Sequence, residues 1–274
     1  MSRSRGPLIP LETWLEKYAE IADAMGYDVA RDRKAAEMFA RMLKASRIEP
    51  PLDTLRKLFF KKPVIIFGAG PSLDNGVERL LRTFPNVSEI FTLVTADGAT
   101  QVLVESGVAP HVVVTDLDGD MDSILSAARK GSIMIVHAHG DNMDRIFRDV
   151  KKILSATKLV LGTTQVEPVP PLQNFGGFTD GDRAVFMAAG YEASPIILIG
   201  MDFGKVVGRR SKPWLRHDVA AWDDKLKKLN IAYRLLSWLA TSSNSVIYTT
   251  SANVPPGTRK VNLEDINHIA RCQR

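Results

Sequence analysis

Aspartates crowd a few places in this sequence, and most of them follow an apolar run of strand length. Asp97 closes the run that begins at residue 90, with Gly98 and Ala99 after it. Asp116, Asp118 and Asp120 follow residues 112–115, and His137, His139 and Asp141 follow residues 133–136. Asp202 follows residues 196–199, while Asp180 and Asp182 lie in GGFTDGDRA, residues 176–184, ahead of a helix. A single Asp in such a place caps the next helix, and that explanation is open to Asp74, Asp120 and Asp180. A cluster needs more, because neighbouring carboxylates repel one another and call for a cation. Mg²⁺ commonly takes one or two carboxylates and completes its octahedron with waters and substrate phosphates. The concentration of acids at one edge is better explained by a metal–phosphate site than by capping alone.

The first strand-like run ends in GAGPSLDN, residues 68–75. Glycines there let the backbone approach a ligand, and amides at a helix start favour phosphate. The loop lacks the full GxGxxG pattern and has no Walker lysine, which argues against P-loop kinase chemistry. A tight structural turn explains it almost equally well.

These residues need a scaffold that brings strand ends together. Apolar runs recur at 64–68, 90–95, 112–115, 133–136, 159–161, 196–199 and 246–248, separated by helical or loop segments. Strands apolar on both faces that alternate with helices predict a doubly wound α/β fold with a mostly parallel, Rossmann-like sheet. Ligands in such folds bind outside the carboxyl ends of the strands. Residues 1–60 read as a helical segment: Trp14, Leu15, Tyr18, Ile21 and Ala22 share one face of a helix over 11–25, and Ala35, Met38, Phe39 and Met42 one face of a helix over 31–44. Pro50 and Pro51 then break the chain before a short helix over 52–60. This segment is expected to cover the core or form a homodimer contact and to supply no catalytic group. The α/β unit spans 61–254, and its longest late helix, 218–240, turns Leu226, Leu229, Ala232, Tyr233, Leu236 and Leu239 inward. Residues 255–274 read as a peripheral tail.

The bulk composition is that of a globular protein, 45% hydrophobic and 24% charged. The net charge of +5 fits a solvated basic surface, with attraction of anionic substrates as the alternative. No basic run interleaves with aromatics, so nucleic acid is not an expected partner. Cys272 is the single cysteine, which fits a reducing compartment, and its tail position makes it a poor catalyst. No apolar signal core follows the basic N-terminal residues and no run is long enough to span a bilayer, so a cytoplasmic protein is expected.

Residues 96–124, ADGATQVLVESGVAPHVVVTDLDGDMDSI, resemble the nucleotide–metal segment of thiamine pyrophosphokinases. Asp97 and Gly98 match that family's first turn, and Asp116 and Asp118 its acidic pair. Thr115 stands for Gly, Leu117 for Phe and His111 for Asp. The fuller resemblance is to the archaeal 6-hydroxymethyl-7,8-dihydropterin diphosphokinases, which share that catalytic fold. GAGPSL, ADGA, TDLDG, HAHGDN, GFTDGDRA and IGMDF, in this order, carry it over residues 63–203. The thiamine enzymes add a β-sandwich for which residues after 252 leave no room, and the extra segment here is N-terminal and helical.

The resemblance implies attack of the pterin hydroxymethyl oxygen on the β-phosphorus of ATP, with AMP leaving. Positioning and charge neutralisation by metal supply most of such catalysis. The expected metal ligands are Asp116 and Asp118, directly or through water, with Asp97 in support and Mg²⁺ as the ion. Gly68, Gly70, Pro71 and Ser72 are expected against a ligand, together with Gly98. Thr179, Asp180, Asp182 and Arg183 form a further expected contact set: the two acids hold a second metal or orient substrate, and Arg183 pairs with phosphate or makes a helix-surface salt bridge. Asp141, Asn142, Gln165 and Asn174 are candidates for the pterin ring. Three other readings stand beside this one: another alcohol such as thiamine, a glycosyltransferase-like nucleotide-sugar enzyme, and a non-catalytic nucleotide binder.

His137-x-His139-x-Asp141 also resembles the metal motif of metallo-β-lactamase-type hydrolases, since residues two apart on a strand face the same way. Asn142 stands where that family has a further His, and His111, His217 and His268 lack companion motifs. Contact of His137 and His139 with the triphosphate or the leaving group is the expected role.

Overall fold

The computed structural model describes residues 9–271; Cys272 lies outside them. Three N-terminal helices, α1 (Leu11–Met25), α2 (Val29–Ala45) and α3 (Leu52–Phe59), precede the sheet. Then come β1 (Val64–Phe67), α4 (Leu73–Thr83), α5 (Val87–Ile90), β2 (Thr92–Ala96), α6 (Ala99–Glu105), β3 (Val112–Thr115), α7 (Met121–Arg129) and β4 (Ile133–Ala138). The chain continues through α8 (Met143–Ala156), β5 (Val160–Thr164), α9 (Asp180–Gly190) and β6 (Ile196–Ile199). A short pair, β7 (Val206–Val207) and β8 (Val219–Ala220), leads into α10 (Asp223–Ser242), β9 (Ile247–Thr249), β10 (Arg259–Lys260) and α11 (Ile266–Arg271).

Eight strands form one sheet in the order β10-β9-β6-β1-β2-β3-β4-β5, and every pairing in it is parallel. Central strands are buried on both faces, and alternate residues join opposite sides of the sheet. Val64 and Ile66 of β1 belong to one apolar cluster, Ile65 and Phe67 to the other. The doubly wound α/β reading holds.

Element ends differ from the sequence expectation where polar residues continue a strand. β4 runs on through His137 to Ala138, and β2 starts at Thr92 because residues 87–90 close a helical turn first. The late helix begins at Asp223, since residues 219–220 pair with β7; Ala232, Leu235, Leu236 and Leu239 are its buried face. The tail forms the sheet edge through β10 and buries Val261, Leu263 and Ile266.

The N-terminal helices belong to the main core. Trp14 and Tyr18 of α1 are buried, and the Trp14 indole donates to the Gln165 carbonyl at 2.9 Å. A Cβ on Gly162 of β5 would sit 2.9 Å from Phe39 and 3.0 Å from Leu43, so α2 lies directly on that strand. Burial of aromatic and aliphatic side chains at ~1.5–3 kcal/mol each is what holds this layer down.

Candidate active site

A cavity of about 440 Å³ opens at the carboxyl ends of the strands. Asp97, at the end of β2, and Asp116 and Asp118, after β3, lie on its wall. β2 and β3 are neighbours with Ala96 paired to Val114, which sets Asp97 beside Thr115. The Thr115 hydroxyl donates to Asp97 Oδ1 at 2.5 Å and accepts the Leu117 amide at 2.8 Å. Both turns are bent into the left-handed region, with φ of 41° at Asp97 and 68° at Leu117. Such backbone costs on the order of 1–3 kcal/mol per residue and gathers at functional sites. Here it brings carboxylate oxygens from Asp97, Asp116 and Asp118 within 4.8 Å of one another.

The triad fits a divalent cation. Asp116 Oδ1 is buried with no hydrogen-bond partner, an acceptor left for a ligand to satisfy. Its other oxygen faces His139 Nε2 at 3.3 Å. Burial, together with the charges of Asp118 and Asp116, pushes the Asp97 carboxyl well above its ordinary range. Burial alone would raise Asp116 too, but His139 and Lys212 hold it well below. Three full negative charges coexist here only when a cation offsets them.

The two glycine turns lie beneath a strap, residues 203–222, that carries β7 and β8. Gly68 and Gly70 line the cavity, as does Gly98. A Cβ on Gly98 would meet the Arg210 carbonyl oxygen at 1.8 Å, and one on Gly208 would meet the Ala69 oxygen at 2.5 Å. Arg209 and Arg210 grip Asp74 at 2.8 and 2.9 Å, and Arg210 also grips Glu105 at 2.8 Å. Lys212 of the strap ion-pairs with Asp118. Pro71 and Ser72 are not on the cavity wall; the Ser72 amide donates to Asp202 Oδ2 at 2.8 Å, and Asp202 lines the cavity.

Several expected ligands prove to be internal braces. Asp182 is fully buried and accepts the amides of Phe178 and Thr179 at 2.8 and 2.7 Å and the Thr179 hydroxyl, so it closes a capping box and does not face the cavity. Asn142 donates to the carbonyls of Asp116 and His137 at 2.9 and 2.7 Å, and Asn174 ties Val166 to Gly176. Neither amide reaches the cavity wall. Asp120 caps α7 through the Ser123 amide.

Asp180, Thr179 and Arg183 do line the cavity. Burial and the neighbouring Asp116 charge push Asp180 up to about 7, while Arg183 pairs with it at 3.0 Å. Arg183 is itself buried, so its salt bridge is internal. Its guanidinium donates to His137 Nε2 at 3.0 Å, which leaves His137 Nδ1 to donate to Thr163 Oγ1 at 3.1 Å. Both ring nitrogens of His137 are thereby engaged, one by a cation, which is incompatible with the hydrolase-type metal motif. His139 points instead to Asp116, and Asp141 is exposed beside Arg31 at 3.5 Å.

Sequence reasoning missed Lys212, Lys225, Lys228 and Tyr27, all on the cavity wall. The concentration of Arg209, Arg210, Lys212 and Arg216 in one short stretch was the available signal for the strap. Tyr27, in the turn between α1 and α2, brings the N-terminal segment to the cavity wall, although that segment was expected only to cover the core or form a dimer contact and to supply no catalytic group.

The fold and this site define a doubly wound α/β protein with a carboxylate triad and a cationic strap over the carboxyl edge of its sheet. The family described as 6-hydroxymethylpterin diphosphokinase MptE-like matches residues 37–208. A relative from Pyrococcus furiosus named 6-hydroxymethyl-7,8-dihydropterin pyrophosphokinase is 43% identical over 86% of this chain and 96% of its own. Another of that name from Methanothermobacter thermautotrophicus is 41% identical over 84% of this chain and 94% of its own. The chain belongs to this family. A glycosyltransferase structure from Magnetospirillum magneticum aligns with 87% of this chain and 41% of its own, with a TM-score of 0.44 at 13% identity.

Proposed function

We propose that this protein transfers diphosphate from ATP to the hydroxymethyl group of 6-hydroxymethyl-7,8-dihydropterin, working in the cytoplasm with Mg²⁺. The observation that carries the reading is the Asp97–Asp116–Asp118 cluster, with its orphaned Asp116 oxygen, in a chain of this family. A divalent cation held by these carboxylates would neutralise charge on the phosphates during transfer. The protein's own groups align the reactants. His139 fixes the Asp116 carboxylate, Thr115 fixes Asp97, and the glycine turns allow close backbone approach. The hydroxymethyl oxygen bonds to the β-phosphorus, the bond from that phosphorus to the α–β bridging oxygen breaks, and AMP leaves with the bridging oxygen. The alcohol proton passes to water.

The test is a product assay with ATP, Mg²⁺ and either the pterin alcohol or thiamine, resolving AMP from ADP. AMP with the pterin diphosphate is the expected result. ADP as the main nucleotide would overturn the mechanism, and AMP formed only with thiamine would overturn the acceptor.

A further inference from the structure

The cavity that holds the carboxylate triad is also lined by three lysines. Lys212 comes from the strap, and Lys225 and Lys228 from the first turns of α10, where a spacing of three puts them on one face. Lys212 is spoken for by Asp118. Lys228 lies over the Tyr27 ring, 5.7 Å from its centroid. Lys225 makes no ion pair and no hydrogen bond among the described residues, yet it is half-buried. Burial first, and then repulsion from Lys212, lower the pKa of its ammonium, and the pull of Asp118 and Asp97 only partly opposes this. A desolvated cation without a partner, beside a second cation, is stabilised by an anion of more than one charge.

We propose that Lys225, with Lys212 and Lys228, forms the subsite for the polyphosphate tail of the donor, the part of a nucleoside triphosphate beyond its α-phosphate. The inference rests on the triphosphate-donor reading above and adds where that tail lies: between the lysines, from α10 and the strap, and the triad. Lys212 then has two anionic neighbours, Asp118 and the tail, and bridges them. Lys225 replaces the missing P-loop lysine from a different part of the chain.

Isothermal titration of the full chain with tripolyphosphate, ATP and AMP tests this, using Lys225→Met, Lys225→Arg and, as a remote control, Lys151→Met on α8. Lys225→Met should weaken tripolyphosphate and ATP by tenfold or more and leave AMP within twofold, while Lys225→Arg restores most of the loss. Its melting temperature should match or exceed that of the parent, since an unpaired, half-buried charge has been removed; a lysine kept for packing would lower it. Equal weakening of AMP and ATP, or ATP affinity unchanged in Lys225→Met, would overturn the subsite. Failure of the product assay with intact tripolyphosphate binding would instead overturn the reaction and leave the subsite standing.

Discussion

Asp32 and Gly140 are 108 residues apart in sequence, and the Asp32 Oδ1 accepts the Gly140 amide at 2.7 Å. The other oxygen of Asp32 accepts the Tyr18 hydroxyl and, at 3.2 Å, the Gln165 side-chain amide. One buried carboxylate thus joins α1, α2, the loop after β4 and the loop after β5. That loop after β4 carries His139, which orients Asp116. The N-terminal helices therefore brace the site, and the turn between α1 and α2 supplies Tyr27 to its wall.

Asp32→Ala leaves several donors unpaired, at roughly 1–3 kcal/mol for each buried group so exposed. Urea denaturation should show a loss of at least that size for one such group. Turnover should fall with it, measured at a temperature where the variant remains folded. Unchanged stability would show that the Gly140 amide finds another acceptor.

Asp116→Asn should keep the fold, because the oxygen it replaces makes no hydrogen bond, and should reduce turnover by orders of magnitude. Initial rates across a Mg²⁺ titration decide it. Near-normal rates at saturating Mg²⁺ in both Asp116→Asn and Asp118→Asn would remove these residues from the metal site.

Gly98→Ala tests the seating of the strap. The new Cβ would lie 1.8 Å from the Arg210 carbonyl, so backbone has to move, whereas the same change at Gly204 meets nothing closer than 3.4 Å. Gly98→Ala should speed limited proteolysis within residues 205–222 and cut turnover tenfold or more. Gly204→Ala should do neither.

His111 gives a pH signature away from the triad. Its Nδ1 accepts the Leu93 amide at 2.9 Å, and burial lowers its pKa. A folded value below the unfolded ~6.5 means the unfolded chain takes the proton first. The stability that His111 contributes is thus complete above about pH 6.5 and is lost as pH falls through its folded pKa, at no more than ~1.4 kcal/mol per pH unit. Denaturation curves between pH 7.5 and 5 should show this slope flattened in His111→Asn. An imidazole titrating at or above 6.5 by NMR would contradict it.

The triad was legible because strand-end aspartates follow apolar runs, and neighbouring parallel strands bring such ends together. Asp182 misled because Thr-x-x-Asp ahead of an apolar helix is also the pattern of a capping box, and only the hydrogen bonds of Phe178 and Thr179 separate the two. Asn142 misled in the same way, as an amide that ties loops together. Lys212 was hidden by distance: it lies 94 residues from Asp118, in a stretch with no strand or helix periodicity strong enough to place it.

The strand order has a consequence for how the chain comes off the ribosome. β1 sits between β2, which follows it closely, and β6, which is made only after β5 and α9. Until β6 arrives, one edge of a fully apolar parallel strand stays open to water and to other chains. Nascent chains halted after β5 should therefore be the aggregation-prone species, and a chaperone that shields the β1 edge would act in the interval before β6 emerges.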